Sequence, residues 1–322
     1  MAFTHRSINL EDTHHCISLT REVFTYSPAQ RAQLGGLWKE LIESKSCVSV
    51  AVEDRRLPAA RRVVGFGLSV FVTDAFAKKV LAGLPFLSRA FLEQWKGKER
   101  PFLTPPEIAR ANAGAGLNLM ILHYGWDPAL SLEDLQRVQL LQTEQFLHQH
   151  AGYKTQEYLH EVFGPELRDF LLNTGSALRH DYRAAKWKPV LKGTTKENWP
   201  YLMGFRPEEV KAQAGTTASL FQAKSDQPLF KLSPSEQEML SRALEGKTDE
   251  ELASALDLSP WTVKKRWQAV YLKVRKADPD LLEGLTARAK GEEGRNRQRR
   301  RYLLDYLRHH PEEIRPWASK RD

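Results

Sequence analysis

The feature that most constrains the fold of this chain is a series of three helix starts between residues 232 and 274. Each start has a hydroxyl side chain at the N-cap, followed by proline at the first helical position, by glutamate three residues later, or by both. The three N-caps are Ser233, Thr248 and Ser259. Gly246 ends the first helix, and residues 257–259 form a tight turn between the second and the third. Three short helices with such a turn predict a helix-turn-helix.

The third predicted helix has one apolar face and one polar face. The apolar face consists of Val263, Trp267, Val270 and Val274, and the opposite face consists of Trp261, Lys265, Gln268 and Leu272. Residues 258–277 contain six basic side chains and no acidic one. Lysine donates hydrogen bonds to guanine edges and glutamine pairs with adenine, so this helix is predicted to enter the major groove of DNA. The alternative is a solvated helix face.

Residues 232–274 resemble the LuxR/GerE-type helix-turn-helix of bacterial transcription regulators along their whole length. The family motifs are met by Leu232, Ser233, Pro234 and Glu236, then by Glu245, Gly246, Thr248, Glu251, Leu252, Ala253 and Leu256, and then by Ser259, Thr262, Val263 and Lys264. Arg266 stands where the family usually has histidine, and Trp267 is bulkier than the usual residue. The resemblance implies that Lys264, Lys265 and Gln268 reach base edges, and that a helix over residues 278–289 forms a dimer. The DNA-binding residues predicted in this way are Trp261, Thr262, Lys264, Lys265, Arg266, Gln268 and Lys273.

Basic residues are concentrated towards the end of the sequence. The chain has 48 Lys and Arg against 40 Asp and Glu, which gives a net charge of +8. Residues 285–322 contribute 11 basic and 6 acidic side chains, and five arginines fall within residues 295–301. Two roles stay open for this basic helical tail. It is either a clamp on DNA phosphates or a helix that packs on the domain through Leu303, Leu304, Tyr306 and Leu307.

Residues 3–206 mix strand and helix patterns, which predicts an α+β domain. The predicted strands include residues 3–10, 47–53, 62–72, 117–126 and 199–205, and the predicted helices include residues 76–95, 132–150 and 165–180. The runs at 47–53 and 62–72 are β-branched and joined by a turn, which indicates a hairpin. The 117–126 strand is predicted to be buried.

The order of these elements resembles the GNAT acyltransferase fold, with residues 117–152 in the place of its fourth strand and following helix. That family binds the CoA diphosphate with a loop of the form Gln/Arg-x-x-Gly/Ala-x-Gly/Ala after this strand. Here the loop contains Pro128, Glu133 and Asp134 and no glycine, and the matching letters at residues 110–115 precede the strand. We therefore predict a non-catalytic derivative that senses a ligand. Its candidate apolar pocket is lined by Tyr124, Trp126, Trp199 and Tyr201.

Other chemistry has little support in the sequence. Two cysteines, Cys16 and Cys47, exclude a disulfide framework and a thiolate zinc site. No pair of histidines shares a helix face for a metal, and no nucleotide-binding motif lies in a suitable context. No apolar run is long enough to span a bilayer, and the first residues show no signal-peptide pattern. We expect no metal, no cofactor, no membrane contact and a cytoplasmic location.

The sequence thus predicts a transcription regulator that is not an enzyme and binds double-stranded DNA as a homodimer. The predicted organisation is a GNAT-like mixed-sheet sensor domain at 1–206, a linker at 207–231, a LuxR-type helix-turn-helix domain at 232–290 and a basic extension at 291–322. The expected effector is a small molecule or an acyl-CoA. Two alternatives remain: a GNAT-type, acyl-CoA-dependent acyltransferase fused to a DNA-binding module, and an architectural DNA-binding protein without an effector.

Overall fold

The structure, a computed structural model, describes residues 2–20, 24–182, 191, 194–195, 198–210, 227–283 and 291–318, and of residues 210, 283 and 291–297 it describes the backbone alone. The chain divides into two compact units, Met1–Ala223 (unit 1) and Lys224–Asp322 (unit 2). Residues 211–226 of the predicted linker and residues 284–290, which include half of the predicted dimerisation helix at 278–289, lie outside the described residues.

Unit 1 is built on a mixed β-sheet. Its described strands are β1 (Phe3–Arg6), β2 (Cys47–Asp54), β3 (Val63–Val72), β4 (Leu117–Trp126), β5 (Thr155–Phe163), β6 (Ala177–Asp181) and β7 (Pro200–Phe205). Their order in the sheet is β1-β2-β3-β4-β5-β7-β6. Of the neighbouring pairs of described strands, β4 and β5 are parallel and the others are antiparallel. The hairpin predicted for residues 47–53 and 62–72 is confirmed as β2 and β3.

The described helices of unit 1 are α1 (Thr13–Leu19), α2 (Pro28–Glu43), α3 (Asp74–Leu81), α4 (Leu87–Lys96), α5 (Pro105–Ala113), α6 (Leu132–His150), α7 (Pro165–Asn173) and α8 (Pro207–Val210). Local hydrogen bonds fix several of the starts. Ser27 and Gln30 form a reciprocal capping box before α2, and the Ser131 hydroxyl accepts from the backbone N–H of Asp134 at the start of α6.

Apolar side chains cover both faces of the sheet, because successive strand residues point to opposite sides. On one face, Leu37 and Trp38 of α2 share a core with Phe66 of β3. On the other face, Val138 of α6 packs with Val52 of β2. The predicted mixed sheet with helices is confirmed.

Three sequence-based assignments in unit 1 are wrong in detail. The helix predicted over 76–95 is two helices, because Gly83 and Phe86 both have positive φ and Pro85 lies between them. The predicted 165–180 helix ends at Asn173 and is followed by β6, an edge strand with a weak apolar alternation. The stretch with Pro101, Pro105 and Pro106, whose prolines predict a loop, begins α5 at Pro105, since two prolines fit the first turn of a helix.

Unit 2 is helical in its described residues. It contains α9 (Pro234–Leu244), α10 (Asp249–Ala255), α11 (Pro260–Ala277), α12 (Asp280–Glu283) and α13 (Gly291–His309). The three N-caps found in the sequence, Ser233, Thr248 and Ser259, all accept a hydrogen bond from the backbone N–H three residues later. The predicted apolar face of α11, from Val263 to Val274, is buried.

The basic tail packs on the other helices of unit 2. Leu303 and Leu307 of α13 are fully buried and share the core with Leu240 of α9. The Arg300 guanidinium pairs with the Asp249 carboxylate at 2.5 Å and lies 4.6 Å from the centre of the Trp267 ring. Of the two roles left open by the sequence, packing on the domain is therefore the one that the structure contains.

Candidate functional site

Strands β4 and β5 separate towards their carboxyl ends. Their pairing runs from Leu117 and Thr155 to Met120 and Leu159. Both strands continue beyond this point, β4 to Trp126 and β5 to Phe163. We call the space between residues 121–126 and 160–163 the β4–β5 gap. The strand edges that face it keep backbone N–H and C=O groups that the sheet does not pair.

A β-bulge in β4 lies beside this gap. Leu68 of β3 is paired with His123 and Ser69 is paired with Ile121, so Leu122 is the extra residue of β4. The Leu122 carbonyl accepts a hydrogen bond from the Ser88 hydroxyl at 2.6 Å. Ser88 lies in the first turn of α4, so this bond ties the start of α4 to one side of the gap.

Glu161 ties the start of α4 to the other side of the gap. Its carboxylate accepts from the backbone N–H of Phe86 at 2.6 Å and from that of Leu87 at 2.9 Å. The carboxyl is fully buried on β5, and desolvation raises its pKa to about 8 although the two amides favour the anion. The N-terminus of α4 therefore spans the gap between a carbonyl of β4 and a carboxyl of β5.

His123 is held by two aromatic side chains. The Trp38 indole N–H donates to Nδ1 at 3.2 Å, and the Tyr26 hydroxyl lies 2.6 Å from Nε2. Because an indole nitrogen only donates, Nδ1 is the unprotonated nitrogen and Nε2 donates to Tyr26. Burial lowers the pKa of His123 to about 3 and raises that of the Tyr26 hydroxyl. This imidazole is neutral and orients Tyr26.

Aromatic rings lie between the two separating strands. The Phe24 ring is 5.4 Å from that of His123 and 5.4 Å from that of Tyr124, both on β4, and 5.6 Å from that of Phe163 on β5. Tyr124 contacts His160 of β5 at 5.7 Å. Desolvation lowers the pKa of His160 to about 4, and its Nε2 has no hydrogen-bond partner among the described residues. The gap thus has an apolar, aromatic lining with one buried imidazole nitrogen.

The four aromatics predicted to line a pocket are placed differently from one another. Tyr124 and Trp126 stack at 6.1 Å at the end of β4, next to the gap. Tyr201 packs with Met203 beneath the Arg168 guanidinium, and Trp199 packs against the same cluster. Sequence reasoning missed Tyr26, Ser88, His123 and Glu161, which are far apart in the chain and belong to no local motif.

The loop before α6 is acidic. The Ser131 hydroxyl accepts from the N–H of Asp134, and the Asp127 carboxylate accepts from the N–H of Ala129. Glu133 and Asp134 lie in the first turn, where Asp134 pairs with Arg56 at 2.9 Å. Carboxylates and engaged amides leave little attraction for a diphosphate at this helix end.

The seven predicted DNA-binding residues all lie on α11. Trp261, Lys264, Lys265 and Gln268 are exposed, and the Lys265 ammonium is 3.7 Å from the centre of the Trp261 ring. Lys273 pairs with Glu236 at 2.6 Å, Arg266 bonds to the Ser235 carbonyl, and Thr262 bonds to the Ser259 hydroxyl. The ion pair with Glu236 partly neutralises the charge of Lys273.

The described part of the chain has neither a metal cluster nor a membrane-spanning helix. It contains no cluster of three or more His, Cys, Asp or Glu side chains that would hold a metal ion. It contains no helix with the length and apolar character needed to cross a bilayer. Both cysteines are free thiols. The cytoplasmic location stays a prediction.

Comparisons with known proteins give structural neighbours only. No family model and no curated protein sequence matches the chain. The C-terminal condensation domain of Ebony, solved with beta-alanyl-dopamine, is similar at a TM-score of 0.40 and 12% identity, over 63% of this chain and 98% of that one. FeeM, an N-acyl amino acid synthase from uncultured soil microbes, is similar at 0.37 and 12%, over 68% and 97%. A chimera of the spermidine N-acetyltransferase SpeG from Vibrio cholerae is similar at 0.37 and 10%, over 66% and 99%.

These neighbours correct the main functional prediction. They include an N-acyl amino acid synthase and N-acetyltransferases, which contradicts the predictions of a LuxR-family, DNA-binding transcription regulator and of a protein that is not an enzyme. The alternative of an acyltransferase agrees better with them. The error arose because the strongest sequence motif lies in the short helical unit, whereas the gap in unit 1 has no motif. The seven residues of α11 and the predicted homodimer stay untested predictions.

Proposed function

We propose that unit 1 is an N-acyltransferase that binds an acyl thioester in the β4–β5 gap and transfers the acyl group to an amine. The observation that supports this proposal is the end of pairing between two parallel strands at Met120 and Leu159 while both strands continue. Acyl-CoA is then the donor substrate, as in the acyltransferase alternative, whereas the main sequence-based prediction made it a possible effector.

The open edge of β4 suits a linear donor that contains amides. A bridge between Thr20 and Gly125 closes the far end of this edge, so residues 121–123 lie on the stretch that β5 does not pair. The pantetheine arm of CoA is an extended chain with two amide groups. Such a chain binds to an unpaired strand edge as an added strand, through main-chain hydrogen bonds.

The aromatic lining of the gap suits the acyl group. Phe24, Tyr124 and Phe163 present apolar ring surface between the strands, and burying a methylene against such surface stabilises a complex by about 0.8 kcal/mol. Backbone N–H groups on the open edge of β4 are available to the developing oxyanion of the thioester carbonyl.

The transfer reaction needs a group that accepts a proton. The amine nitrogen attacks the thioester carbonyl carbon, a C–N bond forms, the C–S bond breaks, and the thiolate leaves. The nitrogen loses one proton, which ends on the thiolate, so the products are an amide and a free thiol. We assign Glu161 as the proton acceptor, because it is a buried carboxyl beside the gap whose pKa is raised to about 8, close to neutral pH.

For unit 2 we keep the predicted helix-turn-helix as a proposal about its fold. Its support is the tight turn between α10 and α11, where Asp257 adopts a positive φ of 52°, and the capping of both helices. This proposal assigns no regulatory function to the unit.

The function is tested by turnover of the full chain. Acyl-CoAs from acetyl to dodecanoyl are mixed with a panel of amines. Release of the free thiol is measured with a colorimetric thiol reagent, and the amide product by mass spectrometry. Glu161→Gln is expected to lower kcat by about 100-fold or more. The matched control is Glu313→Gln, since Glu313 accepts two consecutive backbone N–H groups in unit 2 in the same way. Absence of thiol release above background with every pair of substrates contradicts the proposal.

A further inference from the structure

Arg89 is a cation next to the β4–β5 gap whose hydrogen bonds are incomplete. It follows Ser88 in the first turn of α4, so it lies one residue from the side chain that contacts Leu122. One guanidinium nitrogen donates to the Thr25 hydroxyl at 3.2 Å, and the group lies 4.6 Å from the centre of the Phe86 ring. Its Nε is buried and has no hydrogen-bond partner among the described residues. A buried donor in this state calls for an explanation.

A second arginine lies close to the same place. Arg31 is in the first turn of α2, and its neighbour Gln30 donates to the Glu93 carboxylate at 3.0 Å, which ties the start of α2 to the second half of α4. Burial raises the pKa of the Tyr26 hydroxyl, and the charges of Arg89 and Arg31 partly oppose this rise. In the described part of the chain, neither arginine forms an ion pair with a carboxylate.

The carboxylates near this pair have other partners. Glu161 is held by two backbone amides, and Glu93 is bonded to Gln30 and paired with Lys96 at 3.3 Å. The Arg89 charge favours the ionised forms of Glu93 and Glu161, although neither carboxylate forms an ion pair with it. Both arginines carry positive charge and would repel a cationic substrate. Guanidinium groups bind carboxylates with two parallel hydrogen bonds, which would also supply a partner for Nε of Arg89.

We infer that Arg89 and Arg31 bind the carboxylate of the acceptor, and that the acceptor is an amino acid, not a polyamine. The inference rests on the proposed acyl transfer and narrows its acceptor class. With the carboxylate at Arg89, the amine of an α-amino acid lies two bonds from the carboxylate carbon. That places it on the side of Ser88 and Leu122, where the thioester is expected. A polyamine would bring positive charge against two arginines.

The test compares acceptors that differ only in the carboxylate. Glycine, leucine and phenylalanine are each compared with their carboxamides, with spermidine as a cationic acceptor, by kcat/KM and by isothermal titration of the acceptor alone. The expected preference for carboxylate over carboxamide is at least tenfold in the native chain. Arg89→Gln and Arg31→Gln should each remove most of it, with kcat/KM for the carboxamides changed less than about threefold. The matched control is Arg168→Gln, an arginine that lies over Tyr201 away from these residues.

The outcomes separate this inference from the proposed function. Turnover of amines with equal kcat/KM for carboxylates and carboxamides, or with spermidine preferred, overturns the inference and leaves the acyltransferase proposal standing. Titration that shows tight amino-acid binding lost in Arg89→Gln supports the carboxylate site even without turnover, in which case the transfer proposal fails alone. Arg89→Lys is the second variant if Arg89→Gln unfolds. Arg89→Lys keeps the positive charge but not the bidentate hydrogen-bonding geometry. It is expected to keep only part of the preference for carboxylate over carboxamide acceptors.

Discussion

The buried Glu161 carboxyl makes the stability of unit 1 depend on pH. Its pKa in the folded chain is raised from 4.5 to about 8 because burial penalises the anion. A raised pKa contributes stability that is fully present below about pH 4.5 and is lost as the pH rises to about 8. The difference of about 3.5 pH units, at about 1.4 kcal/mol per unit, gives a loss of about 5 kcal/mol across this window.

Glu161→Gln removes this titration. Glutamine accepts from only one of the two amides, of Phe86 and Leu87, and its NH₂ group faces the other, which costs about 1–3 kcal/mol at every pH. The expected signature is therefore a difference in slope. Between pH 5 and pH 8 the native chain should lose about 1.4 kcal/mol more per pH unit than the variant.

The assay is urea unfolding of the full chain at half-unit steps from pH 5 to pH 8.5, with separate probes for the two units, because two-state analysis does not hold across both. Glu313→Gln is the matched control: burial also raises the pKa of Glu313, so this variant should change the pH dependence of unit 2 and not of unit 1. Parallel pH dependences of native chain and Glu161→Gln in unit 1 would refute the reasoning, since Glu161 would then be ionised throughout.

Three further predictions follow from the gap. Phe24→Ala should lower the free energy of unfolding by about 3–5 kcal/mol and shift the preferred donor to a longer acyl chain, because the ring lies between β4 and β5; an unchanged chain-length profile would remove Phe24 from the acyl site. His160→Phe removes the buried Nε2, which has no described partner, together with the Nδ1 contact to the Tyr158 hydroxyl at 3.3 Å, so urea unfolding should show a loss no larger than the about 1–3 kcal/mol of that one bond; a larger loss would mean that Nε2 is bonded as well. Acyl-pantetheine should be used with a kcat/KM within about tenfold of acyl-CoA, because the loop before α6 is acidic; a preference for CoA above about 100-fold would place a diphosphate site elsewhere on the chain.

Local patterns in the sequence predicted the elements whose causes are local. The Ser233, Thr248 and Ser259 caps are confirmed, since each is a hydrogen bond between residues three positions apart. The β2–β3 hairpin and the long α6 helix are also confirmed. Their signals are local too: alternation of apolar residues in the strands and helical spacing in α6. The break between α3 and α4 was missed, although Pro85 was a visible signal for it.

Only unit 2 contains a sequence motif whose residues are contiguous in the chain. The helical motif in unit 2 is contiguous, so it dominated the prediction and led to a regulator that is not an enzyme. The candidate site in unit 1 brings together Tyr26, Ser88, His123 and Glu161, and the bond between Tyr26 and His123 alone spans 97 positions. No pattern of sequence spacing predicts these four residues as neighbours, because the order of the strands in the sheet brings them together.

The sequence by itself determined where helices begin, which faces are apolar and that the loop before α6 contains carboxylates in place of glycine. Only the tertiary structure decided that β4 and β5 stop pairing at Met120 and Leu159, that the start of α4 spans the resulting gap, and that Glu161 is desolvated there. The physical reason is range: capping and amphipathicity act over three or four residues, whereas strand separation and burial depend on segments that are distant in the chain.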